Sequence, residues 1–116
     1  THVGHGKGKI EQVACARRVI GPNGKVKFTR TSATRDPVAR AEPEGTIDPY
    51  VQILSFWNGE APVAALSYYA THPMSHYGKG GVSSDFIGLA RQAHSKNVGV
   101  AMVHFNGAGG NQSGIR

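Results

Sequence analysis

Hydrophobic and polar positions fall into a clearly patterned second half and a weakly patterned first half. Tyr50 to Trp57 is rich in Val, Ile, Leu and aromatics, which predicts a strand. Asn58-Gly59-Glu60 turns the chain, and Val63 to Ala70 predicts a second strand antiparallel to the first. Phe86, Leu89, Ala90 and Ala93 recur at helical spacing and form one apolar stripe. Ser84 is the expected N-cap of that helix, and Asp85 suits its positive end. The helix should end near Lys96-Asn97, ahead of a buried-type strand over Val98 to Phe105 and a glycine-rich loop over Asn106 to Gly114.

The first half gives less. Lys9 to Ala16 reads as a short strand with Ile10 and Val13 as its apolar content. Gly21-Pro22-Asn23-Gly24 is a turn between Arg18-Val19-Ile20 and Lys25-Val26-Lys27-Phe28, so a hairpin is expected. Gly4 to Gly8 reads as flexible, and Thr31 to Thr46, with Pro37, Pro43 and Gly45, as an exposed loop.

Strand, helix, strand is a βαβ unit, whose two strands run parallel. The expected class is therefore α/β, a mixed sheet with one βαβ unit, forming part of a larger catalytic domain. The loop carrying His72 leaves the carboxyl end of one parallel strand, and Asn106 to Ser113 leaves that of the other. Both open on one sheet edge, where α/β proteins bind ligands.

Charge adds a partner question. The 116 residues carry 13 Lys and Arg against 7 Asp and Glu, a net charge of +6, and nine of the basic residues lie in the first 40 positions. Such a half can attract nucleic acid or an anionic membrane surface. The basic residues are scattered, without interleaved aromatics for base stacking, so no nucleic-acid partner is expected. The excess also fits a piece of a longer protein whose acidic segments balance it. The opening Thr1-His2-Val3-Gly4 is neither a translation start nor a targeting segment, and both ends read as internal to a longer chain. No apolar run is long enough to cross a bilayer. The single Cys15 excludes an internal disulfide and a cysteine-based zinc cluster.

Several residues could carry chemistry. His72, after a strand and before Pro73, could ligate zinc through a neutral imidazole nitrogen, or simply bond the backbone. His76 would share a metal with it only on a helix, and Pro73 and Gly78 argue for a loop. Gly107-Ala108-Gly109-Gly110 lacks the Gly-Lys-Ser/Thr of a phosphate loop. Gly109 and Gly110 could instead present backbone N–H groups to an oxyanion, or form a tight turn. Ser113 could be a nucleophile or a solvated hydroxyl. Arg17 and Arg18 could bind an anionic group or lie on a solvated surface. Asp85 reads as a helix cap or a partner of a ligand histidine. His2 and His5 are weak metal candidates in the flexible segment. His94 should face solvent, and His104 is packed or functional.

Taken together, three segments resemble the neutral/alkaline non-lysosomal ceramidase family in order and spacing. They are Tyr69-Ala70-Thr71-His72-Pro73-Met74-Ser75, Ser84-Asp85-Phe86-Ile87-Gly88, and Phe105-Asn106-Gly107-Ala108-Gly109-Gly110-Asn111-Gln112-Ser113. Val13 to Arg18 looks like the family's Asn-Arg segment, so the resemblance spans most of residues 1–116. It implies a zinc-dependent amide hydrolase that splits a ceramide-like lipid substrate into sphingosine and a fatty acid. It matches His72 to a zinc ligand, Ser113 to the serine nucleophile and Arg17 to an active-site arginine. It further implies a secreted, periplasmic or cell-surface setting, with a membrane surface as a candidate partner. The family's upstream His and downstream Glu and Tyr ligands have no counterpart here. Asn111, Gly114 and Ala16 stand where Asp, Pro and Asn are usual. The competing expectation is a non-catalytic lipid- or carbohydrate-binding α/β module.

Overall fold

The computed structural model describes residues 1–114. Its centre is a four-stranded mixed sheet in the order β1-β5-β6-β7, built from β1 (His2–Lys9), β5 (Tyr50–Asn58), β6 (Ala61–Tyr68) and β7 (Met102–Phe105). β1 and β6 each run antiparallel to β5, and β6 and β7 run parallel. Helix α2 (Asp85–Val98) connects the parallel pair, so the expected βαβ unit and the α/β class are present. Two small antiparallel pairs complete the fold: β2 (Ala14–Ala16) with β8 (Gln112–Gly114), and β3 (Arg18–Ile20) with β4 (Val26–Thr29). The second is the hairpin expected around Pro22-Asn23.

The register explains how the sheet is used. Gly6, Ile53, Ser67 and His104 form one row across the four strands. Ile53, Ser67 and His104 line a cavity of about 400 Å³ shared with Phe86, Ile87 and His94 of α2. That shared lining identifies the side of the sheet against which the helix lies. His104 donates or accepts through Nδ1 with Ser67 Oγ at 2.8 Å, and burial lowers its pKa.

Several elements differ from the sequence expectation. The glycine-rich opening is not flexible: all of β1 pairs with β5, and His2 stacks on Trp57 while Lys7 sits over Tyr50. Backbone pairing holds it, and glycine contributes no hydropathy signal. The strand expected over Lys9 to Ala16 is broken at Gln12, whose φ is 61°, and only its last three residues are β2. The expected loop after β4 contains a one-turn helix, α1 (Pro37–Ala41), with Asp36 Oδ1 accepting from Val38 N–H. Proline at the first helical position suits a helix start, because its missing N–H would have no partner there. Helix α2 runs to Val98 and ends on Gly99 in the left-handed conformation, so β7 starts later than expected, at Met102. Its inner face is Phe86, Ile87 and His94, whereas Leu89 is 68% exposed. His94 therefore does not face solvent: its Nε2 is buried.

Buried Arg30 joins the peripheral pieces. It is 2% exposed, and its guanidinium donates to four backbone carbonyls. Nε reaches Ala16 at 3.1 Å, Nη1 reaches Ala39 at 3.1 Å and Glu42 at 2.7 Å, and Nη2 reaches Pro43. One side chain thus ties β2 to α1 and to the segment after it. A planar fork of five donors can do this, and an ammonium cannot.

Candidate functional site

The carboxyl edge of the parallel strands gathers most of the candidate residues. β6 ends at Tyr68, and three buried residues, Tyr69, Ala70 and Thr71, lead to His72. From the neighbouring strand, Phe105 leads through the glycine segment to β8. The two paths meet where His72 and Ser113 form a parallel bridge. The sheet-edge expectation from strand order is thereby met for His72 and Ser113. The last part of the expected glycine loop is strand β8, which pairs Cys15 with Ser113 and Ala16 with Gln112. Arg17 N–H continues this ladder to the Asn111 carbonyl at 2.8 Å. His72, Arg17, Gly109 and Ser113 therefore share one small region, although 96 positions separate Arg17 from Ser113 in number.

His72 has a defined orientation. Its Nδ1 lies 3.0 Å from the backbone carbonyl oxygen of Gln112. A carbonyl only accepts, so Nδ1 carries the proton, and the neutral ring then presents an Nε2 lone pair. A metal-ligating histidine is commonly held in this way, with the distal nitrogen bonded to a carbonyl or carboxylate. Gln112 is itself fixed. With its amide oriented to satisfy its neighbours, Oε1 accepts from Asp48 N–H at 2.7 Å and Nε2 donates to the Ala70 carbonyl at 2.6 Å. A Cβ on Gly109 would lie 3.5 Å from His72 Nδ1, which is ordinary contact distance.

Zinc at a catalytic site takes three protein ligands. Among the described residues, no group of three His, Cys, Asp or Glu side chains gathers to hold a metal. His72 fits the role of one ligand by its orientation, and the described residues do not complete the set. His76 is exposed and close enough to Asp85 to influence its ionisation.

Ser113 is 0% exposed, and its Oγ donates to the Gly114 carbonyl at 3.4 Å. Gly109 is buried and donates its N–H to the Gly107 carbonyl at 2.9 Å, closing a tight turn with Gly107 at a φ of 62°. Gly110 is exposed. Arg17 is half-buried, and its carbonyl accepts from Arg30 N–H at 2.8 Å. Arg18 reaches Asn111 Oδ1 at 3.4 Å. Among the described residues, no helix is long and apolar enough to cross a membrane.

Asp85 does more than the cap expected of it. Ser84, at the N-cap position, makes no side-chain capping bond. The Asp85 carboxylate instead accepts from Ser75 N–H at 2.8 Å, Ser75 Oγ at 2.7 Å and Phe86 N–H at 2.7 Å. Burial pushes its pKa up, but these hydrogen bonds and nearby His76 outweigh it and hold the pKa below the ordinary value. Ser75 and Asp85 both lie inside the quoted motifs, so the signal was present. Their pairing across the loop was not.

No protein-family model matches the chain, and no curated protein matches it in sequence. Its fold is similar to that of solved ceramidases. The crystal structure of neutral ceramidase from Pseudomonas aeruginosa matches with a TM-score of 0.65 and 20% identity, over 97% of this chain and 17% of that one. A ceramidase complexed with C2 matches with a TM-score of 0.64 and 20% identity, over 96% and 16%. The chain thus has a ceramidase-like fold and spans about a sixth of the length of those structures.

Proposed function

We propose that this chain is part of a zinc-dependent hydrolase that cleaves the amide of an N-acyl lipid of the ceramide class. The observation that carries the reading is the His72 Nδ1 bond to the Gln112 carbonyl, which leaves Nε2 to ligate a metal. The ceramidase-like fold supports the substrate class. Zinc bound there would supply a Lewis acid for the scissile carbonyl. His72 is assigned as one ligand, with the remaining ligands outside the described residues.

Ser113 is assigned as nucleophile by its place next to Gln112, at the end of the bridge to His72. Its hydroxyl bonds its own strand, so the assignment requires that bond to be exchanged for one to a base or to substrate. Arg17 is assigned to hold a polar substrate group at the rim of the same edge. Of the two glycines proposed as oxyanion donors, Gly109 has its N–H engaged by Gly107, which leaves Gly110 in that role. A membrane surface is where such a lipid would be met, and the basic residues of the first half suit an anionic one.

The full-length protein should release fatty acid from a fluorescent ceramide and carry zinc. In His72→Ala, both hydrolysis and zinc content should fall to background with the fold intact. A His72→Ala protein that keeps its zinc and its activity would sink the reading. Lipid binding without turnover in the unmodified protein would favour a non-catalytic module.

A further inference from the structure

The loop from His72 to Ser83 has to hold its histidine steady, yet its sequence is rich in glycine and poor in apolar anchors. At one end it is tied to β8 by the His72–Ser113 bridge and by the bond to Gln112. The other tie is Asp85. Two of its three carboxylate bonds reach across the loop to Ser75, three residues after His72. A residue serving only as a helix cap would spend its oxygens on helix amides, and only the Phe86 N–H bond is of that kind. Asp85 also adopts a φ of 53°, in the left-handed region that a non-glycine residue occupies at a cost. The surroundings are built to keep it there. Ser83 Oγ accepts the Asp85 N–H at 3.0 Å, and Gly88 leaves room for Ser84, since a Cβ there would lie 1.8 Å from Ser84 Oγ.

We propose that Asp85 is a positioning residue, whose carboxylate clamps the His72–Ser75 turn and thereby sets the orientation of the His72 ring. The proposal takes its functional weight from the reading of His72 as a ligand, but its geometry stands apart from zinc or hydrolysis. Between His72 and Ser75 the chain has little freedom: Pro73 is rigid, and Met74 N–H donates to the His72 carbonyl at 3.0 Å. Fixing Ser75 therefore limits where His72 can point.

The test uses NMR of the full chain without metal. In the unmodified protein, ring nitrogen and carbon shifts of His72 should report the Nδ1–H tautomer. In Asp85→Ala the ring should move toward the Nε2–H tautomer that a free imidazole side chain prefers. Amide exchange at Ser75 should quicken about tenfold or more, as expected for loss of a bond to a charged acceptor. Asp85→Asn, which tolerates the same φ but keeps one acceptor oxygen in place of two, should restore part of both signals. Ser75→Ala leaves Asp85 in place, removes one bond and should give an intermediate result. It decides the matter if Asp85→Ala fails to fold, as judged by circular dichroism. Unchanged His72 tautomer and Ser75 exchange in the folded variants would overturn the clamp. Because these readouts need neither zinc nor turnover, failure of the hydrolase reading would leave them untouched, and the converse also holds.

Discussion

Replacing Arg30 by Met tests how the periphery is held to the site. Methionine keeps much of the aliphatic stem and removes the guanidinium. Four carbonyls then lose their donor, and the bonds to Ala16 and Ala39 are buried. Orphaning each buried acceptor costs about 1–3 kcal/mol, so the pair costs roughly 2–6 kcal/mol. Removing a desolvated charge that no carboxylate pairs among the described residues offsets part of this, for a net loss of about 3 kcal/mol. At about 4 °C per kcal/mol for a chain of this size, Tm should fall by roughly 12 °C. Lysine keeps the charge but not the fork, so Arg30→Lys should recover only a minority of the loss. Denaturation followed by circular dichroism gives the global value. A local readout is alkylation of Cys15, which is buried and paired with Ser113. Burial pushes the Cys15 thiol up, and the charge of Arg30 opposes that shift. Losing the charge alone would slow alkylation, so faster labelling in Arg30→Met would mean that β2 has opened. Stability within about 1 kcal/mol of the unmodified chain, with unchanged labelling, would refute the role given to Arg30.

The remaining predictions concern α2 and its packing. Glycine to alanine inside a helix ordinarily gains about 1 kcal/mol. Gly88→Ala should instead lose about 1–3 kcal/mol by overpacking, because its Cβ would meet Ser84 Oγ at 1.8 Å and Ser84 Cβ at 2.3 Å. Adding Ser84→Gly should reverse the loss, and strict additivity of the two changes would contradict the contact. His104 gives a pH dependence. Its pKa is lowered in the folded state from an ordinary 6.5, so the unfolded chain binds the proton first on acidification. Stability is therefore full above about pH 6.5 and declines as pH falls toward the folded pKa. Denaturant midpoints should drop through that window and should do so less in His104→Phe; equal pH slopes would remove the inference.

What could be read in advance depended on whether the cause of a feature is local. Strands β5 and β6 and helix α2 carry apolar side chains at the spacing of their own geometry, so their existence was legible to within a few residues. β1 was not, because glycine at positions 4, 6 and 8 carries no hydropathy and the strand exists through its pairing with β5, some 50 positions away. α1 was hidden because Pro37, read as a breaker, is a helix starter once Asp36 supplies the cap. Nothing in the local pattern marks Arg30, and Asp85 read as a cap or as a partner of a ligand histidine, since their partners are named by tertiary structure and not by spacing.

The site divides along the same line. That His72 and Ser113 share an edge followed from strand polarity in a βαβ unit, which is a property of order alone. That His72 presents Nε2 did not follow, because its partner is a backbone carbonyl, and every residue has one. The same fact explains why the departures at Asn111 and Gly114 do not bear on His72. The Gln112 carbonyl is aimed by the β2–β8 ladder and by the Gln112 amide between Ala70 and Asp48. None of those bonds uses the side chain at 111 or 114. The orientation of His72 is therefore insulated from the side chains at Asn111 and Gly114, and a change in chemistry at those two positions would act on Ser113 while leaving His72 in place.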